Sequence, residues 1–125
     1  FLEPTVTCQA CGGIDGPTPF QVTPECYKIL AEDDNWITGM LTMEVGQEDG
    51  FHKHRNHVIH VLEGDGVTLY PSIEAKEKGE GASPPIKPGD YIPAPINVMG
   101  GLFGAHSMKN TGTIPLKMVF FEQKV

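Results

Sequence analysis

The chain has 125 residues, 39% hydrophobic and 20% charged, with a formal net charge of −7. That is one domain's worth of sequence, long enough to bury a core without disulfides. It has no apolar run long enough to span a bilayer, and its acidity argues against nucleic acid or an anionic membrane as partner.

Gly (15) and Pro (11) punctuate the chain into short segments. No stretch of twelve residues between these breakers holds a helical period, so the pattern predicts an all-β, single-domain protein. Residues 1–35 read as an irregular N-terminal segment packing on a β-barrel domain at 36–125. Near its start, Cys8 and Cys11 form a CxxC followed by the loop-like "GGIDGPTP". A zinc ribbon needs a second such pair, and a redox CxxC wants a strand before it and a helix after it, so these cysteines read as chemically idle. Three cysteines make no disulfide framework. Reduced thiols and a cytoplasmic location are the expectation.

Strand-like runs follow at regular spacing. They are "YKILA" (27–31), "WITGMLTMEV" (36–45), "HVIHVLE" (57–63), "GVTLYP" (66–71), "YIPAP" (91–95), "GAHSMKN" (104–110) and "PLKMVFFEQ" (115–123). All are rich in β-branched and aromatic residues and bounded by turn formers. Gly64-Asp65-Gly66 predicts a tight hairpin, because glycine and Asp tolerate positive φ. "KPGD" (87–90) predicts a second turn, and "EAKEKGEGASPP" (74–85) an exposed loop.

Four of the five histidines fall in "HKHRNHVIH", residues 52–60. On a strand, side chains at i and i+2 share one face, so His52 and His54 point to one spot. A curved barrel wall lets two such imidazoles converge on one ion. In "HVIHVLE" alternation separates the rest. His57, Ile59 and Val61 share one face, and Val58, His60 and Leu62 the other. If the first face lines the interior, His60 points away from it. His106, far off in sequence, is placed to close the site from a facing strand. A histidine standing alone is more often structural than a ligand; an HxH pair with a distant partner on an all-β background is a stronger signal.

At these residues the sequence resembles a small, single-domain cupin, a jelly-roll β-barrel. Gly46-Gln-Glu-Asp-Gly-Phe-His52-Lys-His54 resembles the opening of the first cupin motif, and "HVLEGDGVTLY" its end. "PGDYIPAP" and His106-Ser-Met-Lys-Asn110 resemble the second motif. The likeness covers about residues 36–123. The chain departs from the pattern twice. His57 stands where the motif carries a glutamate, and the segment between Asp90 and His106 is longer than usual, with the apolar "INVMGGLFGA" as a lip, a lid or a dimer edge.

The resemblance implies one divalent metal ion per chain, Mn or Fe, held by His52, His54, His57 and His106; imidazole ligands by themselves accept Zn, Cu, Fe or Ni as well, so the sequence does not fix the metal. The resemblance further implies a homodimer. Four neutral ligands leave the ion its full charge, and an octahedral ion would keep two positions open. The function that follows is a metal-dependent enzyme on a small organic molecule, first of all an oxygenase or other oxidoreductase. The alternatives are a lyase, isomerase or cyclase using the metal as Lewis acid, and a non-catalytic ligand-binding or sensory module. Tyr70, Tyr91 and Glu44 are the candidate acid–base groups. Met40, Ile59, Met99, Leu102, Phe103 and Met118 are candidates for an apolar substrate pocket. Asn110 reads as a residue that pins a turn.

Overall fold

The computed structural model describes residues 6–8, 14–16, 18–54, 57–93 and 105–123. Nine strands and two short helices follow in the order β1 (Val6–Cys8), β2 (Ile14–Gly16), α1 (Pro19–Val22), β3 (Tyr27–Glu32), β4 (Trp36–Met43), β5 (His57–Glu63), β6 (Thr68–Tyr70), α2 (Ile73–Glu77), β7 (Tyr91–Pro93), β8 (Ser107–Lys109) and β9 (Leu116–Gln123). The main sheet has the order β3-β4-β9-β5-β7, with every pairing antiparallel. A smaller sheet pairs β6 with β8, and isolated bridges join Glu48 to Lys109, His52 to His106 and Leu69 to Ala82. The fold is all-β, as the sequence predicts, although the sheets do not close into one continuous ladder.

Alternation builds the core. Along β4 burial strictly alternates, placing Ile37, Leu41 and Met43 inside. Along β9 the buried positions are Leu116, Met118, Phe120 and Glu122. Register brings Met43 opposite Leu116, Leu41 opposite Met118 and Gly39 opposite Phe120. Gly39 is needed there, because a Cβ would overlap the Phe120 ring. Val61, Val67, Leu69, Ile86 and Met108 complete the cluster. Each such side chain removed from water contributes about 1.5–3 kcal/mol.

Several local expectations change. The N-terminal segment is not wholly irregular: β1 and β2 form an antiparallel pair, and β3 is the edge strand of the main sheet. Cys8 lies in β1, and Cys11 falls outside the described residues. Cys26 is a free, buried thiol, and burial pushes its pKa up to about 11. The stretch 74–85 is not all loop. Its first residues belong to α2, where Ser72 caps the helix by accepting from the Ala75 N–H, with Glu74 in the first turn and Lys76 in the last. Those charges suit the helix dipole.

Gly64-Asp65-Gly66 bends the chain, with Gly64 at φ 138°, but the predicted hairpin does not form: among the described residues β5 pairs with β7 and β9, and β6 pairs with β8 in the smaller sheet. The Asp65 carboxylate accepts from both the backbone N–H and the hydroxyl of Thr113, which ties this turn to the one before β9. Asn110 pins that second turn. Its Nδ2 donates to the carbonyls of Met43 (3.1 Å) and Ile114 (3.0 Å), and its Oδ1 accepts from the Gly112 N–H. Among the described residues no helix is long and apolar enough to cross a membrane.

Candidate metal centre

His52 is fully buried. It forms an isolated bridge with His106, through reciprocal backbone hydrogen bonds of 3.0 Å in each direction. The distant histidine is therefore the direct cross-chain neighbour of the first one. Its ring lies 4.8 Å from the His52 ring and 5.4 Å from that of His54. Residues 53–54 are not in a strand, yet His52 and His54 both turn inward, with rings 4.7 Å apart.

The hydrogen bonds of His52 fix its tautomer. Nδ1 lies 2.8 Å from the Gly50 carbonyl oxygen, which can only accept, so Nδ1 carries the proton. Nε2 then presents a lone pair, and it is buried without a hydrogen-bond partner. An orphaned acceptor inside a protein costs about 1–3 kcal/mol unless something else satisfies it. A metal ion is such a partner.

Behind His52 stands a polar network. The Tyr27 hydroxyl donates to Asp49 at 2.6 Å, and the Met108 N–H donates to the other carboxylate oxygen at 2.7 Å. Asp49 lies 3.6 Å from His52 Nδ1. Burial raises the Asp49 pKa to about 6 despite these donors. The Tyr27 ring also meets His52 edge-on at 5.4 Å. Its hydroxyl titrates well above the usual range, mainly through burial.

His54 is buried, and its Nδ1 meets the Glu122 carboxylate. Glu122 sits on the inner face of β9, directly opposite His57 on β5. The His57 ring lies 4.5 Å from the His54 ring. Two overlapping sets result. The ligand atoms of His52, His54 and His106 lie within 4.8 Å of one another, and so do those of His54, His57 and Glu122. Two nitrogens bound to one ion stand at most about 4.2 Å apart, given bonds of about 2.1 Å. Donors at right angles on one ion stand closer, about 3.0 Å apart, so the rings close inward on binding. Burial first, then the neighbouring imidazoles, holds His52 and His54 well below the usual histidine pKa. Both are neutral near pH 7, the state metal binding requires.

The donor set and the orphaned Nε2 fit a metal ion. A cavity of about 20 Å³ lies beside it, lined by His54, His57, Ile59, Met118 and Phe120 among others. That is room for one water, not an organic molecule. His57 and His106 are each partly exposed.

The other candidates fall in different places. Ile59 and Met118 line the cavity. Met40 does not: it pairs with Val119 on the outer face of the sheet, one residue out of phase with Leu41. Tyr91 is also on the outer face, 65% exposed, with its ring against His60. Tyr70 is opposite Ser107, one residue out of phase with the buried Leu69 and Met108, and the Lys76 ammonium lies 5.9 Å from its ring centre. Glu44 is exposed at the turn after β4. None of these three acid–base candidates is gathered with the histidines; strand alternation turns both tyrosines away. Met99, Leu102 and Phe103, and nearly all of "INVMGGLFGA", lie outside the described residues.

Sequence reasoning passed over Glu122, Asp49 and Tyr27. The signal for Glu122 was present: in "LKMVFFEQ" it keeps phase with Leu116, Met118 and Phe120, a charge at a core-facing position. Asp49 and Tyr27 left no comparable trace: Asp49 lies in the loop after β4, and Tyr27 reaches it from the start of the edge strand β3.

The architecture is that of the cupin fold. The chain is similar to a cupin domain from Bordetella pertussis Tohama I (TM-score 0.62, 16% identity, 79% of this chain and 92% of that one). It is also similar to a protein from Thermotoga maritima described as a predicted oxalate decarboxylase (TM-score 0.52, 20% identity, 79% of each chain). A third is the polyketide cyclase RemF from Streptomyces resistomycificus (TM-score 0.51, 15% identity, 79% of this chain and 64% of that one). No protein-family model and no curated protein sequence matches the chain. At such identities the likeness defines the fold, and function has to be argued from the site.

Proposed function

We propose that this chain is a metal-dependent cupin enzyme acting on a small organic molecule, with one divalent first-row ion held by His52, His54 and His106 and with His57 as a fourth ligand. The orphaned, buried Nε2 of His52 carries this reading, because the donor atoms of His54 and His106 lie close by and it has no hydrogen-bond partner in the protein. Such an ion would supply Lewis acidity and, if redox-active, reactivity with dioxygen. The chain's own residues keep the imidazoles neutral, fix the His52 tautomer through Gly50 and exclude water from its buried side. The partial exposure of His57 and His106 favours an enzyme over a structural metal site. We place an oxygenase acting on a chelating enol or diketone first. A Lewis-acid lyase, isomerase or cyclase comes second, in keeping with the decarboxylase and cyclase named among the similar folds.

The test is elemental analysis and calorimetric titration with Mn²⁺ of the purified chain, beside His52→Ala and His106→Ala. We expect about one ion per chain, lost in both variants; undiminished metal in both would sink the site. Oxygen uptake with β-diketones, against anaerobic turnover, separates the two chemistries. The proposed homodimer would use the outer face of the main sheet, where Trp36, Phe121 and Tyr91 are exposed. Light scattering that finds only monomer would exclude it.

A further inference from the structure

The inner face of β9 reads Leu116, Met118, Phe120, Glu122. Three apolar side chains are followed by a carboxylate that is only 3% exposed. On one side its register partner is Ile37 of β4, and on the other His57 of β5. A carboxylate taken out of water costs several kcal/mol unless it is paired and hydrogen-bonded. An apolar residue would serve the sheet better at this position. What distinguishes it is a neighbour: the carboxylate meets His54 Nδ1 from 68 residues away in sequence.

Where the carboxylate is ionised it can only accept, and the proton of this contact then belongs to His54 Nδ1. The lone pair of His54 is then on Nε2. His52 is set the same way, its Nδ1–H given to the Gly50 carbonyl. Two of the three imidazoles in the His52–His54–His106 set are thus held in the same tautomer, one by a backbone carbonyl and one by Glu122. The two acceptors differ in kind. Gly50 presents a backbone carbonyl oxygen, whereas Glu122 presents a side-chain carboxylate. An acceptor behind a ligating imidazole orients the ring and raises the basicity of the nitrogen facing the metal.

We infer that Glu122 is the positioning residue for His54, holding its Nδ1–H so that Nε2 serves the metal. This rests on the metal reading above. It also divides the second group of His54, His57 and Glu122: the carboxylate acts through His54 and does not ligate the ion itself.

The experiment compares the full-length chain with Glu122→Gln and Glu122→Leu. In the metal-free proteins, long-range ¹⁵N–¹H NMR at pH 7.5 reads the His54 tautomer, assigned by its absence in His54→Gln. Calorimetry with Mn²⁺ reads affinity and stoichiometry. In wild type we expect His54 protonated on Nδ1. In both variants we expect a mixture of tautomers and an affinity lowered about 10–100-fold, with stoichiometry still near one. Glu122→Gln is expected to fall less than Glu122→Leu, because its amide oxygen can still accept. An unchanged tautomer together with unchanged affinity in both variants overturns the inference. So does complete loss of the ion from both, matching His52→Ala, which would make Glu122 a ligand. If wild type takes up no Mn²⁺, the metal reading fails by itself, and the tautomer comparison alone decides whether Glu122 orients His54.

Discussion

The two ends of one sheet face behave as different materials. At one end of the inner face Met43, Val61 and Leu116 are fully buried and apolar, and all belong to one hydrophobic cluster. At the other end the same strands carry Glu122 and His57, and the loop before β5 adds His52 and His54. Only five residues of β9 separate Leu116 from Glu122. The packed end is stabilised by burial alone, which any well-fitting apolar side chain supplies. The histidine end encloses polar atoms, at least one of which the protein leaves unsatisfied. Such an arrangement lowers stability by itself and makes sense if a guest restores it.

Substitutions at the two ends can break this contrast. Leu116→Ala should have the largest effect on stability, a loss of about 2–5 kcal/mol by denaturant unfolding, since it opens a cavity where nothing polar can bind. Its metal stoichiometry at low temperature should stay near that of wild type. A parallel loss of the ion in the folded variant would mean the ends are not independent.

A smaller, directional effect should follow acidification of the metal-free protein. His52 and His54 are held below their unfolded pKa of about 6.5, so below that pH the unfolded chain takes up more protons than the folded one. Stability should fall as pH drops from about 7 to 6. Asp49, raised to about 6, opposes this: its protonation favours the folded state as pH falls from there toward its unfolded value. The 7-to-6 window precedes most of that opposition. Thermal unfolding should show the fall, and His52→Ala should blunt it. A flat profile in wild type would contradict neutral, buried imidazoles. The smallest effect is expected on the outer face. His60→Ala should leave metal content unchanged and alter stability by no more than about 1 kcal/mol, since it loses mainly the contact with the exposed Tyr91 ring. Loss of metal there would reverse the assignment of the two faces of β5.

Alternation made the frame legible. "WITGMLTM", "HVIHVLE" and "LKMVFFEQ" each declare which residues go inside, and His57 and His60 separate onto opposite faces as the period of two demands. The same rule, carried through, excludes Met40 and Tyr70 from the site and brings in Glu122. Short polar helices are harder to read. The five residues of α2 carry too few apolar positions for a period, and only the Ser72 cap marks the start.

By itself, then, the sequence determined the strand pattern, the turns at Gly64–Gly66 and Asn110–Gly112, and a shortlist of histidines, because those depend on residues within a few positions of one another. Tertiary structure decided the partnerships. That His106 lies against His52, that Tyr27 reaches Asp49, and that Glu122 stands behind His54 all depend on strand register between residues 22 to 68 positions apart. No local pattern encodes such distances. They are set by which apolar faces pack together, and the polar contacts are carried into place by that packing.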